Sequence, residues 1–176
     1  MKSKKADLRS ELSIVDLGNH AKVRTILQQY LSAEFVAEYD AAVKEATIRF
    51  MRLAEQHLQE ARQAGRNKKH WRTMVSRAYY ACYSASRAVR YFVTGFVALE
   101  DVKDHEKIGE LPGDFRDRKQ WQDILFEMRK DRNRADYAPW TTTQRMLFAQ
   151  PAKILARAEA FVQETKAYLR KRGVQL

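Results

Sequence analysis

Apolar residues recur along this chain at intervals of three and four, the spacing that gathers them on one face of an α-helix. Val43, Ala46, Phe50, Leu53, Ala54, His57 and Ala61 form one stripe, which predicts a helix over about residues 40–64 closed by Gly65 as its C-cap. Val75, Ala78, Cys82, Ala85, Val89 and Phe92 form the next, over about residues 68–94, with Asn67 as N-cap and Gly95 as the stop. Trp121, Leu125, Met128, Arg132 and Ala135 mark a helix over about residues 118–135. Leu147, Ile154, Leu155, Ala158, Phe161, Val162, Thr165, Tyr168 and Leu169 mark the last, over about residues 144–171, bent at Pro151. Ahead of these lie a charged start, a break near Gly18 and one helix around residues 20–35. Few Gly, three Pro and no alternating β-branched run argue for an all-α fold, an up-and-down bundle of four to five helices. Residues 1–39 read as an N-terminal helical extension, and residues 40–176 as the bundle domain.

One position breaks the pattern. Arg132 stands in line with the apolar stripe of its helix, where a globular protein places a Leu, and a buried arginine needs a carboxylate or a ligand anion. Asp136, four residues on, is close enough to pair with it. It also sits at the helix's C-terminal end, where the macrodipole disfavours a carboxylate and calls for a cation. Two readings stay open: an Arg–Asp pair tying the helix end to the bundle, or an Arg132 that clamps a phosphate while Asn133 or Tyr137 orients the reacting group.

The 176-residue chain carries 33 Lys and Arg against 22 Asp and Glu, a formal charge of +11. Such a surplus attracts polyanions and makes nucleic acid the first partner to consider. A single cysteine, Cys82, excludes an internal disulfide. The start is charged rather than apolar, and the longest apolar stretch, residues 91–99, is too short to span a bilayer. A cytoplasmic protein with no membrane partner is the expectation.

Other constellations are fewer. Arg77, Tyr80, Ser84, Arg87 and Tyr91 form a second row at helical spacing, nearly opposite the apolar stripe of their helix, and are expected to face outward. Arg holds phosphate by forked bonds and Tyr offers a base a stacking face, while both are also enriched in dimer contacts. The row therefore suits a homodimer interface or an RNA-facing groove. His105 lies in a charged connection over residues 100–112, flanked by Asp104 and Glu106, with a helical turn over 106–111. It is either a solvated loop residue or a proton-transfer group. His20, His57 and His70 are scattered without ligand spacing, and no Gly-rich phosphate loop occurs, so neither a metal nor a cofactor is expected.

Three segments in order, Ser76-Arg77-Ala78-Tyr79-Tyr80-Ala81, Asp104-His105-Glu106-Lys107-Ile108 and Arg132-Asn133-Arg134-Ala135-Asp136-Tyr137, resemble the HEPN domain family. The likeness is to the branch with an SRAYYA helix and an RNxADY ending, and it covers about residues 40–172. It implies a compact bundle of four or five helices, paired as a homodimer. In RNase members an Arg and a His four to six residues later build a composite site at the dimer interface and cut RNA without metal. Other members are toxins neutralised by a small nucleotidyltransferase, or act in antiviral defence. Here Arg132 matches the motif Arg and Asn133 the polar residue after it, but the motif His is absent and Tyr137 stands at the four-residue spacing. A phenol, which titrates around pH 10, is a poor general base at neutral pH. The expectations are thus a dimer that binds RNA or a nucleotidyltransferase partner in a toxin–antitoxin or defence system, or an endoribonuclease in which Tyr137 or His105 assists Arg132. A scaffold without catalysis is a third.

Overall fold

The structure, a computed structural model, describes residues 20–30, 32–95, 102–141 and 143–176. Among the described residues five α-helices carry the fold: α1 His20–Tyr30, α2 Ala33–Gly65, α3 Trp71–Thr94, α4 Arg118–Tyr137 and α5 Pro151–Arg170. Short 3-10 turns at Lys68–His70, Val102–Gly109 and Gln144–Met146 lie between them. The described residues contain no strand, and the architecture is the all-α helical bundle that the periodicity implied. The expected break near Gly18 lies outside the described residues.

Boundaries differ from the sequence reading for local reasons. The early helix ends at Tyr30, not near Phe35, and α2 begins at Ala33 instead of Asp40. Ser32 is extended (φ −69°, ψ 161°), and after it Val36, Tyr39 and Val43 continue the buried stripe of α2 backwards. Gly65 is the last residue of α2 and not a left-handed cap; the chain turns through Arg66 and Asn67. Asn67 does cap, accepting Lys69 N–H at 2.9 Å, but it caps a 3-10 turn ahead of α3. Gly95 ends α3 with φ 79°, and its N–H donates to Tyr91 O at 2.8 Å. A Cβ there would meet the His20 ring at 2.9 Å, so the seat of α1 needs the glycine as well. Pro151 does not bend a long helix. It opens α5, where its missing N–H and fixed φ cost nothing, while residues 144–146 form a separate 3-10 turn.

The core lies around α3, which packs against α2, α4 and α5. Val75, Ala78, Cys82, Ala85 and Val89 are fully buried, and Leu125, Met128, Ile154, Phe161 and Leu169 close over them. From Ala81 to Tyr91 every α3 residue but Arg87 is buried, because Ala81, Ser84, Ala85 and Ala88 are small enough to admit neighbours on all sides. This corrects the expected outward row. Ser84 and Tyr91 are buried, and the Arg87 side chain is only 14% exposed, lying over the Phe50 and Tyr83 rings at 5.1 and 5.3 Å. Arg77 and Tyr80, at the start of the row, are part-exposed, the Arg77 side chain at 42%.

Side chains from α3 and α4 hold the α4–α5 connection, Asp131 and Arg72 among them. Asp131, wholly buried, accepts Phe148 N–H at 2.6 Å and Ala149 N–H at 3.1 Å. Arg72 donates to Ala135 O in the last turn of α4 and to Thr141 O at the end of the turn that follows it. No helix among the described residues is long and apolar enough to cross a membrane.

Candidate functional site

The first turns of α3 and the last turn of α4 bound an open cleft of about 670 Å³. Arg72, Arg77 and Tyr80 line it from α3, and Arg132, Asp136 and Tyr137 from α4. The two helices meet here through polar bonds: Ser76 Oγ donates to Asp136 Oδ2 at 3.1 Å, and Arg132 donates to the Tyr80 hydroxyl. The SRAYYA and RNxADY segments, far apart in sequence, thus face each other across one opening.

Arg132 is 9% exposed, as its place on the apolar stripe required. Its Nε lies 2.9 Å from Asp136 Oδ2, off the N–H direction, so this contact is coulombic rather than a hydrogen bond. A second nitrogen donates to Asn133 Oδ1 at 3.1 Å. The guanidinium also lies over the rings of Tyr137, Tyr80 and Tyr79 at 4.8, 5.1 and 5.7 Å, an electrostatic attraction to each ring face. Burial works against its charge, but Tyr80 and Asp136 outweigh that, and its pKa is raised. The pair is therefore real and the arginine stays charged, at the wall of a cleft open to solvent.

The charges lining the cleft are three arginines and one carboxylate. Arg132 is matched by Asp136, and Arg77 lies 3.2 Å from Glu60 and 3.5 Å from His57. Arg72 spends its donors on backbone carbonyls, and among the described residues it has no carboxylate within ion-pair distance. It leaves the cleft net positive. Tyr137, 67% exposed, puts an aromatic face at the mouth.

His105 does not line this cleft. It is half-buried rather than solvated, its Nδ1 2.9 Å from the Tyr79 hydroxyl and its ring stacked on Tyr83 at 4.2 Å. Burial first, and then the nearby Arg132 charge, lower its pKa. The helical turn around it is longer than expected, Val102–Gly109. Burial likewise pushes the Tyr79 phenol well up. Of the other row members, Ser84, Arg87 and Tyr91 lie deeper along α3, away from the opening.

Sequence reasoning passed over Asp104, a carboxylate held from several sides. It accepts a two-pronged bond from Arg90 at 2.8 and 3.1 Å and the Tyr83 hydroxyl at 2.5 Å. Arg87 Nε lies 3.7 Å away. Burial raises this carboxyl, but Arg90 and Tyr83 outweigh it, so its pKa falls below the ordinary value. Its partners lie 14 and 21 residues earlier on another helix, beyond any helical spacing rule. Arg72 was missed for the same reason, since its acceptors are backbone carbonyls more than sixty residues away.

Among the described residues no group of three or more His, Cys, Asp or Glu is placed to hold a metal ion. Compared with known family models, curated proteins and solved structures, the chain matches none.

Proposed function

We propose that this chain is a HEPN-type helical bundle that works as a homodimer and binds RNA in the cleft between α3 and the end of α4. One observation carries the reading: an open cleft with three arginines to one carboxylate and an exposed tyrosine at its mouth. Guanidinium groups fit phosphate by forked bonds, and a ring beside them fits a base. The +11 charge of the chain would draw a polyanion toward it. The setting we propose is a cytoplasmic toxin–antitoxin or defence system, with a small nucleotidyltransferase as the protein partner.

A second reading, a metal-independent endoribonuclease, is favoured by one contact. His105 lies against Tyr79 and Tyr80, the same two rings that flank Arg132. A neutral imidazole close to a phosphate clamp is the pair of groups that phosphodiester cleavage needs.

Anisotropy of a labelled mixed-sequence RNA, measured across a salt series, tests the first reading. Affinity should fall linearly with the logarithm of salt concentration, and Arg77→Ala and Arg72→Ala should each weaken it. No binding even at low salt would sink the proposal. The same RNA incubated in chelator separates the second reading. Cleavage that vanishes in a folded Arg132→Ala protein would establish the enzyme, and intact RNA throughout would remove it.

A further inference from the structure

Two features beside the cleft are not explained by phosphate binding within it. The first is aromatic. Tyr137 and Trp140 are the most exposed large apolar side chains among the described residues, at 67% and 72%. Trp140 stands at the tip of a turn closed by Thr141 N–H on Ala138 O at 3.0 Å. That turn is held from beneath: Thr141 is buried and its carbonyl is gripped by Arg72. The indole is thus displayed on a fixed base, one turn beyond the tyrosine whose ring lies against Arg132.

The second feature is charge. From Ala61 to Leu99 the sequence has no Asp or Glu at all. The α2–α3 turn inside this run exposes Arg66, Lys68 and Lys69. Gln144 Nε2 reaches Lys68 O at 3.5 Å, which brings the exposed Arg145 to the same end of the bundle. Among the described residues none of these four cations lies within ion-pair distance of a carboxylate. A cationic track therefore continues from Arg72 in the cleft to the α2–α3 turn, with the two rings beside it.

We infer that the nucleic acid taken by this cleft is single-stranded, with its bases stacking on Tyr137 and Trp140 and its phosphates following Arg72 toward Lys68 and Lys69. The inference rests on the RNA-binding reading. Duplex bases already have both faces covered by their neighbours, so a duplex could use the cations and not the rings. An unpaired strand can use both, and each base stacked on an aromatic ring adds to the affinity regardless of sequence.

The test compares a labelled uridine 12-mer with an RNA duplex of the same length, using the full chain. The single strand should bind at least tenfold tighter. Trp140→Ala should weaken it roughly 5- to 150-fold, Trp140→Phe should keep most of the affinity, and neither should change duplex binding. Replacing Lys68 and Lys69 together by Ala should flatten the log–log salt slope by about 1.4, close to 0.7 for each lost phosphate contact. Equal binding of strand and duplex, or a Trp140→Ala protein that binds like the parent while Arg72→Ala does not, would overturn the single-strand inference and leave RNA binding standing. Failure of both nucleic acids to bind would overturn the RNA reading itself.

Discussion

Among the described residues, two arginine–aspartate assemblies of the same chemistry each join α3 to a neighbouring segment through a tyrosine hydroxyl. In one, Asp104 is 1% exposed and Arg90 6%, and the carboxylate is filled by a forked guanidinium and the Tyr83 hydroxyl. In the other, the Arg132 side chain is 11% and that of Asp136 24% exposed, and the pair lines an open cleft. The first is shut away from solvent and ties the Val102–Gly109 turn to α3. In the second the same groups meet solvent, where an anion can compete for the guanidinium. Accessibility, not residue type, separates a structural bond from a candidate site.

Breaking the closed assembly should have the largest effect. Asp104→Ala leaves two buried guanidinium groups without their carboxylate, and should cost about 3–5 kcal/mol in urea unfolding. A loss below about 1 kcal/mol would show that the two assemblies do not differ in kind. Arg132→Ala should cost less, about 1–2 kcal/mol, because Asp136 keeps the Ser76 hydroxyl and partial hydration. An unchanged melting temperature would mean that the open pair does not tie α4 to α3 at all.

Acid should sharpen the contrast. Burial lowers the pKa of both His20 and His105 below the ordinary 6.5. Between the folded and unfolded values the unfolded chain binds more protons, so stability rises with pH in that window and is complete above 6.5. The urea midpoint should hold steady from pH 8 to 7 and fall as pH drops below 6.5. Asp104, whose folded pKa is lowered, adds its own loss only below its ordinary 3.8. Asp131, raised by burial, acts in the opposite sense above that value, so the control is a chain carrying His20→Gln and His105→Gln. A midpoint in that chain that still falls between pH 6.5 and 5 would take the histidines out of the account. The smallest effect belongs to the mouth of the cleft, where Tyr137→Ala should change stability by no more than about 0.5 kcal/mol. A larger loss would make that ring part of the frame.

Much of this was legible in the sequence where it depended on spacing along one helix. The stripe from Trp121 to Ala135, the inward Arg132 and its i,i+4 partner Asp136 all follow from the 3.6-residue period. Contacts between elements were not legible. Nothing in the order of residues says that Asp104 will enter the fork of Arg90, or that Arg72 will bridge the last turn of α4 and the Thr141 carbonyl. The misread row on α3 has a different cause. Periodicity assumes one buried face, whereas a central helix is covered on several sides, and the run of Ala and Ser from Ala81 to Ala88 was the available sign of it. Pro151 was read as a bend because a proline fits both a kink and a first turn, and only the chain path distinguishes them.

The central claim is that the open cleft attracts a phosphate that its own carboxylate partly opposes. RNA affinity of Asp136→Asn against the parent chain, at one low salt concentration, tests this most directly. The amide can still accept the Ser76 hydroxyl, so the frame is kept while one negative charge goes. Binding should tighten roughly threefold or more, as expected for removing a like charge a few ångströms from a phosphate near water. Affinity that is unchanged or weaker would contradict the account, and the arginines of the cleft would then be structural like those around Asp104.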